Sequence, residues 1–184
     1  MPVRATANPR DVFVVHGRNE RARKALFSFL RSVDLNPMQW SEAIQRAGKG
    51  SPFIGEVLDV AFAQAQAIII LMTGDDEAQL RMDFRGANEP SYETDLTPQA
   101  RPNVIFEAGM AFGRDAERTI IVQMGPTRPI SDLSGRHIVN INNTPERRQD
   151  LISRLLTAGC AAKTVGNDWL SEGDFSVAIV QGPH

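Results

Sequence analysis

The segment "AIIILMT", residues 67–73, is apolar up to its closing threonine. A strand without polar alternation is typical of a central parallel strand, because helices cover both faces of such a sheet. A similar β-branched and aromatic run, "DVFVVHG" at 11–17, predicts an earlier strand of the same kind. The sequence therefore predicts a parallel sheet buried between two helical layers.

The segments on either side of this stretch alternate between strand and helix. Apolar residues at helical spacing predict three flanking helices, at 20–33, 53–65 and 145–159. Apolar and β-branched runs predict three further strands, at 35–40, 118–124 and 137–141. This order predicts an α/β fold, a single-domain, flavodoxin-like, doubly wound sheet of about five parallel strands with helices on both faces.

Length and composition favour one domain with few classes of partner. The 184 residues, 42% of them hydrophobic, are enough for a sizeable core, which we place at 11–175 between tails at 1–10 and 176–184. A formal charge of -2, with acids and bases mixed along the chain, indicates neither nucleic acid nor an anionic membrane as a partner. The start "MPVRATANPR" lacks a signal peptide's apolar region, so we expect a cytoplasmic protein.

Several common sites are excluded by what the sequence lacks. The single cysteine, Cys160, forms neither an internal disulfide nor a cysteine-rich zinc site. Only Gly17 follows the first strand, where the dinucleotide-binding fingerprint needs three glycines. The stretch "AGKGS" at 47–51 lacks the upstream glycine and the Lys-Ser/Thr pair of a P-loop. We therefore expect no metal and no resident nucleotide cofactor.

One carboxylate, Glu107, lies inside the apolar stretch "RPNVIFEAGMAFGR" at 101–114. Apolar residues cover nearly every side of this predicted helix, so we expect the helix to be mostly buried, with its small residues allowing close backbone approach. A desolvated carboxylate is either paired, for example with Arg18 or Arg114, or faces a cleft that holds a ligand. The residues alone leave these two roles equally open.

The chain resembles the bacterial TIR-like domains described as predicted nucleotide-binding proteins. The resemblance covers about residues 11–175 and is most specific at "RPNVIFEAGMAFG" and "SDLSG". It also includes "VFVVHGRN", "TIIVQMG" and "NDWLSEGDF", together with the long stretch from "WSEAIQRAGKG" to "LMTGDD". Domains of this kind occur in effectors of cyclic-nucleotide anti-phage systems, such as TIR-STING proteins and the Pycsar TIR effector.

The resemblance implies an NAD+ glycohydrolase, with NAD+ as substrate and no cofactor. Enzymatic TIR domains release nicotinamide from NAD+ and carry an essential glutamate on the helix after the third strand, the place of Glu107 here. One carboxylate suffices because nicotinamide leaves as a neutral molecule, whereas most glycoside hydrolases need two carboxyl groups. The resemblance further implies self-association through TIR–TIR contacts and a cyclic-nucleotide sensor, domain or separate protein, as a partner.

The loops after the first two strands supply candidate substrate-binding residues. Arg18 is placed to meet a pyrophosphate, with a plain surface arginine as the alternative. His16 and Gly17 share that loop and allow backbone to approach a ligand, although His16 is as readily an ordinary loop histidine. In TIR enzymes an aromatic residue in the next loop stacks on a ligand ring, and Phe53 matches that place. The alternative role for Phe53 is that of a core residue at the start of a helix.

Two further pairs of candidates are weaker. Trp40 and Glu42 begin the loop after the second strand. Glu42 is a candidate for orienting a ribose. The alternative is that Trp40 serves only for packing and Glu42 is only a solvated charge. Asp75 and Asp76 follow the third strand and suit ribose hydroxyls, a divalent metal or a helix N-cap. We list both aspartates as substrate-binding candidates and predict no metal, because no histidine or cysteine cluster accompanies them.

The stretch after the third strand and the choice of reaction leave alternatives. Residues 83–101 form a long polar segment, which predicts a lid beside Glu107 or a disordered loop. A nucleoside 2-deoxyribosyltransferase-like N-glycosidase is the second reading of the chain, since its glutamate lies in a stretch resembling "FEAGMAFG". A third reading is a non-catalytic TIR interaction or nucleotide-binding module. "SDLSG" and "NDWLSEGDF" favour the NAD+ reading.

Overall fold

A computed structural model of the protein describes residues 7–178, with seven strands in two sheets in this part of the chain. The strands are β1 (Asn8–His16), β2 (Asn36–Met38), β3 (Ala65–Met72), β4 (Asp76–Ala78), β5 (Thr97–Gln99), β6 (Thr119–Gln123) and β7 (Ile138–Asn140). Five of them form one parallel sheet in the order β2-β1-β3-β6-β7. The other two, β4 and β5, form an antiparallel hairpin.

Helices cover both faces of the large sheet. The α-helices are α1 (Glu20–Ser32), α2 (Trp40–Arg46), α3 (Ile54–Gln64), α4 (Ser91–Thr94), α5 (Pro102–Asp115), α6 (Pro145–Thr157) and α7 (Asp168–Ser171). One layer packs α1, α6 and the segment 168–178 on the sheet, and we call it the closed layer. The opposite layer consists of α2, α3 and α5, and we call it the open layer.

The central strand β3 explains why this sequence folds this way. Ile69 and Leu71 face the closed layer, while Ile68 and Ile70 face the open layer, and all four are at most 1% exposed. A strand buried on both faces needs apolar residues at successive positions. The strand order reverses between β1 and β3, as in a flavodoxin-like doubly wound sheet. The predicted fold is therefore confirmed.

Three local features differ from the sequence prediction. β1 begins at Asn8, inside the predicted N-terminal tail, and residues 1–6 and 179–184 of the two tails lie outside the described residues. The predicted loop after β2 begins with helix α2, which buries Ala43 against the core. The stretch at 83–101 is ordered, because its end forms β5 against β4. The disordered alternative for this stretch is wrong.

A buried arginine completes the closed layer. Arg148 of α6 is 1% exposed, and its guanidinium lies 5.6 Å from the ring centroid of Phe29 and 4.5 Å from that of Phe175. It donates hydrogen bonds to three backbone carbonyls of the C-terminal segment, those of Trp169, Glu172 and Gly173. Burial lowers the pKa of Arg148, and its two terminal nitrogens donate these hydrogen bonds while its buried Nε has no partner among the described residues. The stretch "NDWLSEGDF" thus has a structural role in this fold.

Candidate active site

The candidate site lies at the carboxyl edge of the sheet, beside the reversal between β1 and β3. Open α/β sheets bind ligands at this place because the loops of the two strands diverge there. His16 ends β1, and helix α5 begins at Pro102 close to the same loops. The side chain of Arg101, just before α5, passes within 3.6 Å of where a Cβ on Gly17 would lie. Glu107 follows in the second turn of α5.

Glu107 is a half-buried carboxylate without a protein partner. It accepts no hydrogen bond and forms no ion pair with the described residues, and burial raises its pKa. The side chain of Arg114, one of its expected partners, binds Asp59 of α3 instead. Arg18, the other expected partner, is exposed and joins no ion pair within the described part of the chain. The pairing that we considered for Glu107 is therefore absent from residues 7–178.

Helix α5 is more exposed than its composition predicts. Only one face is fully buried, through Val104, Ala108 and Ala111. On the outer face, Phe106 is 69% exposed, and a Cβ on Gly109 or Gly113 would meet only open space. The expectation of a mostly buried helix with closely approaching backbone is wrong. The glycines instead leave the outer surface of the helix flat.

Asp75 connects the loops on either side of the strand reversal. Its carboxylate accepts hydrogen bonds from the Thr73 hydroxyl at 2.6 Å and from the backbone N–H groups of Arg18 and Asn19. A Cβ on Gly17 would lie 2.0 Å from the Asp75 carboxylate, so a larger residue there would force that carboxylate to move. The Asp75 oxygens are occupied by protein donors, and the residue shapes the loop after β1.

Asp76 has a separate role. Its carboxylate forms an ion pair with Arg101 at 3.2 Å, and it starts strand β4, so the helix N-cap alternative is wrong for this pair of aspartates. Sequence reasoning missed Arg101, although its position directly before Pro102 marked the start of the helix. Within residues 7–178 no group of histidine, cysteine, aspartate and glutamate has the arrangement of a metal site.

The other candidates of the first loop differ in how available they are. The side chain of Arg18 is exposed beside the strand reversal and is free to meet a ligand. His16 places Nδ1 2.8 Å from the carbonyl oxygen of Gly17, to which it donates when that nitrogen carries the proton. Arg18 is therefore the more available of the two for an anionic group.

The candidates of the second loop are spread over two helices. Phe53 precedes α3 and is 80% exposed, so the core alternative for this residue is wrong. Trp40 opens α2 and packs against the core of the open layer. The carboxylate of Glu42 forms an ion pair with Arg46 one turn later. For Trp40 and Glu42 the structure shows packing and surface pairing, whereas Phe53 projects into solvent.

Two other features lie outside this edge. Burial raises the pKa of the Cys160 thiol to about 12, so the thiol stays protonated and is a poor nucleophile. The described residues contain no helix that combines the length and the apolar composition of a membrane span.

Comparison with known proteins agrees with this architecture. The family model described as "CAP12/Pycsar effector protein, TIR domain" matches residues 11–143, which run from β1 past β7 and include the whole candidate site. "Uncharacterized protein YuaY" of Escherichia coli (strain K12) is 27% identical over 151 residues, 82% of this chain and 46% of that protein. The chain thus spans about half the length of this relative. Because the family model covers most of the chain, the protein belongs to the TIR-domain family of CAP12/Pycsar effector proteins.

Proposed function

We propose that this TIR domain is an NAD+ glycohydrolase that acts as an effector of anti-phage defence. The observation that supports this most is the state of Glu107, a half-buried carboxylate with no protein partner, beside the strand reversal where such sheets bind ligands. A desolvated carboxylate that no cation neutralises costs stability, and such a cost is typical of functional sites. Membership of an effector family supports the biological role.

The reaction needs only one carboxylate. The bond between the ribose C1′ and the nicotinamide nitrogen breaks, and its electron pair goes to the pyridinium nitrogen, so neutral nicotinamide leaves. Ionised Glu107 stabilises the positive charge that develops on the ribose ring. Water then attacks C1′ and loses a proton, which gives ADP-ribose. Because no cation shares the carboxylate within the described chain, its full negative charge remains available to the ribose.

The remaining groups suit other parts of NAD+. The exposed guanidinium of Arg18 is suited to the pyrophosphate, because its fork matches phosphate oxygens. The exposed ring of Phe53 is suited to stacking on an aromatic ring of the substrate. Asp75 acts through the loop that it holds, since its oxygens are already occupied. In this proposal Glu107 is the catalytic residue, and Asp75 is a positioning residue.

The test is nicotinamide release from NAD+ by the purified protein, with Glu107→Gln beside a matched control. The control Glu146→Gln removes an exposed carboxylate from α6 in the closed layer and should keep full activity. Glu107→Gln should lose at least about a hundredfold in rate, the usual effect of removing one group that stabilises the transition state. Burial raises the pKa of Glu107, so wild-type activity should fail on acidification at a higher pH than an ordinary glutamate would cause.

Three results would contradict the proposal. Full activity of Glu107→Gln would show that Glu107 is not the catalytic residue. Release of free base from deoxynucleosides with NAD+ untouched would assign the site to a deoxyribosyltransferase-like reaction. If neither substrate reacts at any protein concentration tested, the non-catalytic module is the better description.

We also propose that the domain works as an assembly. Phe53 and Ile54, 80% and 67% exposed, lie at the start of α3, and Phe106 on α5 is 69% exposed. Burial of such side chains against another copy would order the loop before α3, where Gly50 faces open space. Specific activity should rise with protein concentration, and a bulky residue at Gly50 should lower activity without unfolding the domain. Constant specific activity over about a hundredfold dilution would refute this.

A further inference from the structure

A second site lies at the opposite edge of the sheet, at the amino ends of β6 and β7. A cavity of about 370 Å³ opens there between the end of α5, the start of β6, the turn before β7 and the last turns of α6. Its volume falls within the range of about 300–1,000 Å³ that small-molecule sites occupy. Glu107 does not line this cavity, so the proposed NADase chemistry does not use it.

Arg136 is the most informative group in this cavity. Its guanidinium lies 4.2 Å from the ring centroid of Phe112, a cation–π contact with the wall of the cavity. No carboxylate of the described residues forms an ion pair with it. An arginine held by stacking keeps its N–H donors fixed and available, so an incoming anion would meet an arginine that is already positioned.

A second arginine faces the same cavity. Arg154 of α6 approaches Asp150 through Nε at 3.6 Å, a weak contact that leaves its terminal nitrogens available. Asp150 also holds His137 at 3.0 Å and does not line the cavity itself. Among the lining residues, Glu117 carries the one negative charge against two guanidinium groups. The cavity therefore carries a net positive charge.

The hydroxyl groups of the cavity add no free donors. Thr119 and Thr157 line the wall, but each donates its proton to a backbone carbonyl, at 2.7 Å to Asp115 and at 2.9 Å to Ser153. Arginine is thus the principal donor. A guanidinium fork matches the oxygens of a phosphate, and a phosphate monoester, with a charge of about −1.5 to −2 at pH 7, suits two guanidinium groups. The apolar part of the wall, Phe112 with Ile120, suits a planar organic group next to that phosphate.

We propose that this cavity binds a phosphate monoester of about mononucleotide size, with its phosphate between Arg136 and Arg154 and its organic group against Phe112. The class follows from two guanidinium groups on different elements, a positive balance of charge and an apolar wall. The site is separate from Glu107, because α5 runs from the carboxyl edge at Pro102 to this edge at Asp115.

The experiment titrates the isotope-labelled protein with AMP, with adenosine and with inorganic phosphate while backbone amide signals are followed by NMR. AMP should shift the amides of Gly135 and Thr157, phosphate should shift them at higher concentration, and adenosine should not. The double variant Arg136→Ala/Arg154→Ala should bind AMP at this site at least about tenfold more weakly. Arg147→Ala is the matched control, because Arg147 is exposed two turns earlier on α6 and does not line the cavity.

Three results would overturn the proposal. Equal binding of AMP by the double variant would assign the binding to another place. Equal shifts with adenosine would show that the phosphate is not what the cavity recognises. The absence of any AMP-induced shift at Gly135 and Thr157 would show that the cavity takes no such ligand. Both arginines are exposed, so the variants should fold, and Arg136→Lys tests whether the fork itself matters, since it keeps the charge.

Discussion

The two helical layers of this domain pack on the same sheet but differ in how completely their outer side chains are covered. In the closed layer, Arg148 is 1% exposed, and Gly173 approaches so closely that a Cβ would lie 2.3 Å from the Ala25 carbonyl oxygen. In the open layer, Phe53 and Phe106 are 80% and 69% exposed. The chain's own C-terminal segment covers the closed layer, whereas the open layer leaves these two phenylalanine rings largely in solvent.

This difference in coverage indicates that the closed layer serves stability and the open layer serves the candidate function. In the closed layer, backbone carbonyls of the C-terminal segment accept hydrogen bonds from the terminal nitrogens of a buried cation, Arg148. The open layer carries Glu107 and three glycines, at 55, 109 and 113, around which a Cβ would meet nothing. Surfaces of this kind gain from a ligand or a second copy. Variants in the closed layer should therefore alter folding, and variants in the open layer should alter activity.

The largest effect on stability should come from Arg148→Met. The substitution leaves the carbonyls of Trp169, Glu172 and Gly173 buried without their donor, so unfolding should become easier by about 3–4 kcal/mol. Urea unfolding followed by circular dichroism measures this. The control Arg147→Met changes the neighbouring exposed position and should cost no more than about 0.5 kcal/mol. Equal losses in both variants would show that the closed layer does not depend on the buried cation.

A pair of glycine variants compares the layers directly. Gly173 has a φ of +76° and touches the Ala25 backbone, so Gly173→Ala should cost about 2–3 kcal/mol. Gly113 lies within α5 beside open space, and Gly113→Ala should stabilise the domain by about 0.5–1 kcal/mol. Thermal unfolding of both variants measures whether each substitution lowers or raises the stability of the domain. A loss of stability in Gly113→Ala would mean that the open layer is more tightly packed than described.

Acid should weaken the closed layer through Asp174. Hydrogen bonds from the Ser176 hydroxyl, the Asn143 amide and the Ser176 backbone N–H lower the pKa of Asp174 to about 2. Its stabilising effect is therefore present above the ordinary pKa of 3.8 and is lost as the pH falls towards about 2. Stability measured across this window should fall less steeply in Asp174→Asn than in the wild type. If stability fell equally steeply in both proteins, the Asp174 carboxylate would not contribute to the loss of stability in acid.

The smallest effect on stability should come from Phe53→Ser in the open layer. The ring is 80% exposed, so the free energy of unfolding should change by no more than about 0.5 kcal/mol. Self-association measured by light scattering should nevertheless decrease, and specific NADase activity should decrease with it. An unchanged oligomer with unchanged activity would show that the exposed ring serves neither assembly nor substrate.

Local sequence patterns were enough to predict the sheet and its flanking helices, and to show that Glu107 has no close ionisable neighbour along its own helix. The pattern of apolar residues indicates which faces of an element are buried, as in the run at 67–73 and in the helical spacing of α1, α3 and α6. Such a pattern involves only residues that are close together along the chain. Glu107 stood out because no other ionisable side chain lies between Pro102 and Gly113. The helix α2 and the hairpin of β4 and β5 escaped prediction because short elements carry little periodic signal.

Which polar groups contact one another depends on the packing of the folded chain. Arg114 binds Asp59, which is 55 residues away, and Asp75 holds the backbone of Arg18 from 57 residues away. Arg148 lies at helical spacing from Leu151, Ile152 and Leu155 on the buried face of α6, but only the folded chain shows which carbonyls of the C-terminal segment accept its hydrogen bonds. Pairings over such separations depend on how helices and loops pack on the sheet, and local periodicity does not encode that packing. Tertiary packing alone therefore left Glu107 without a partner.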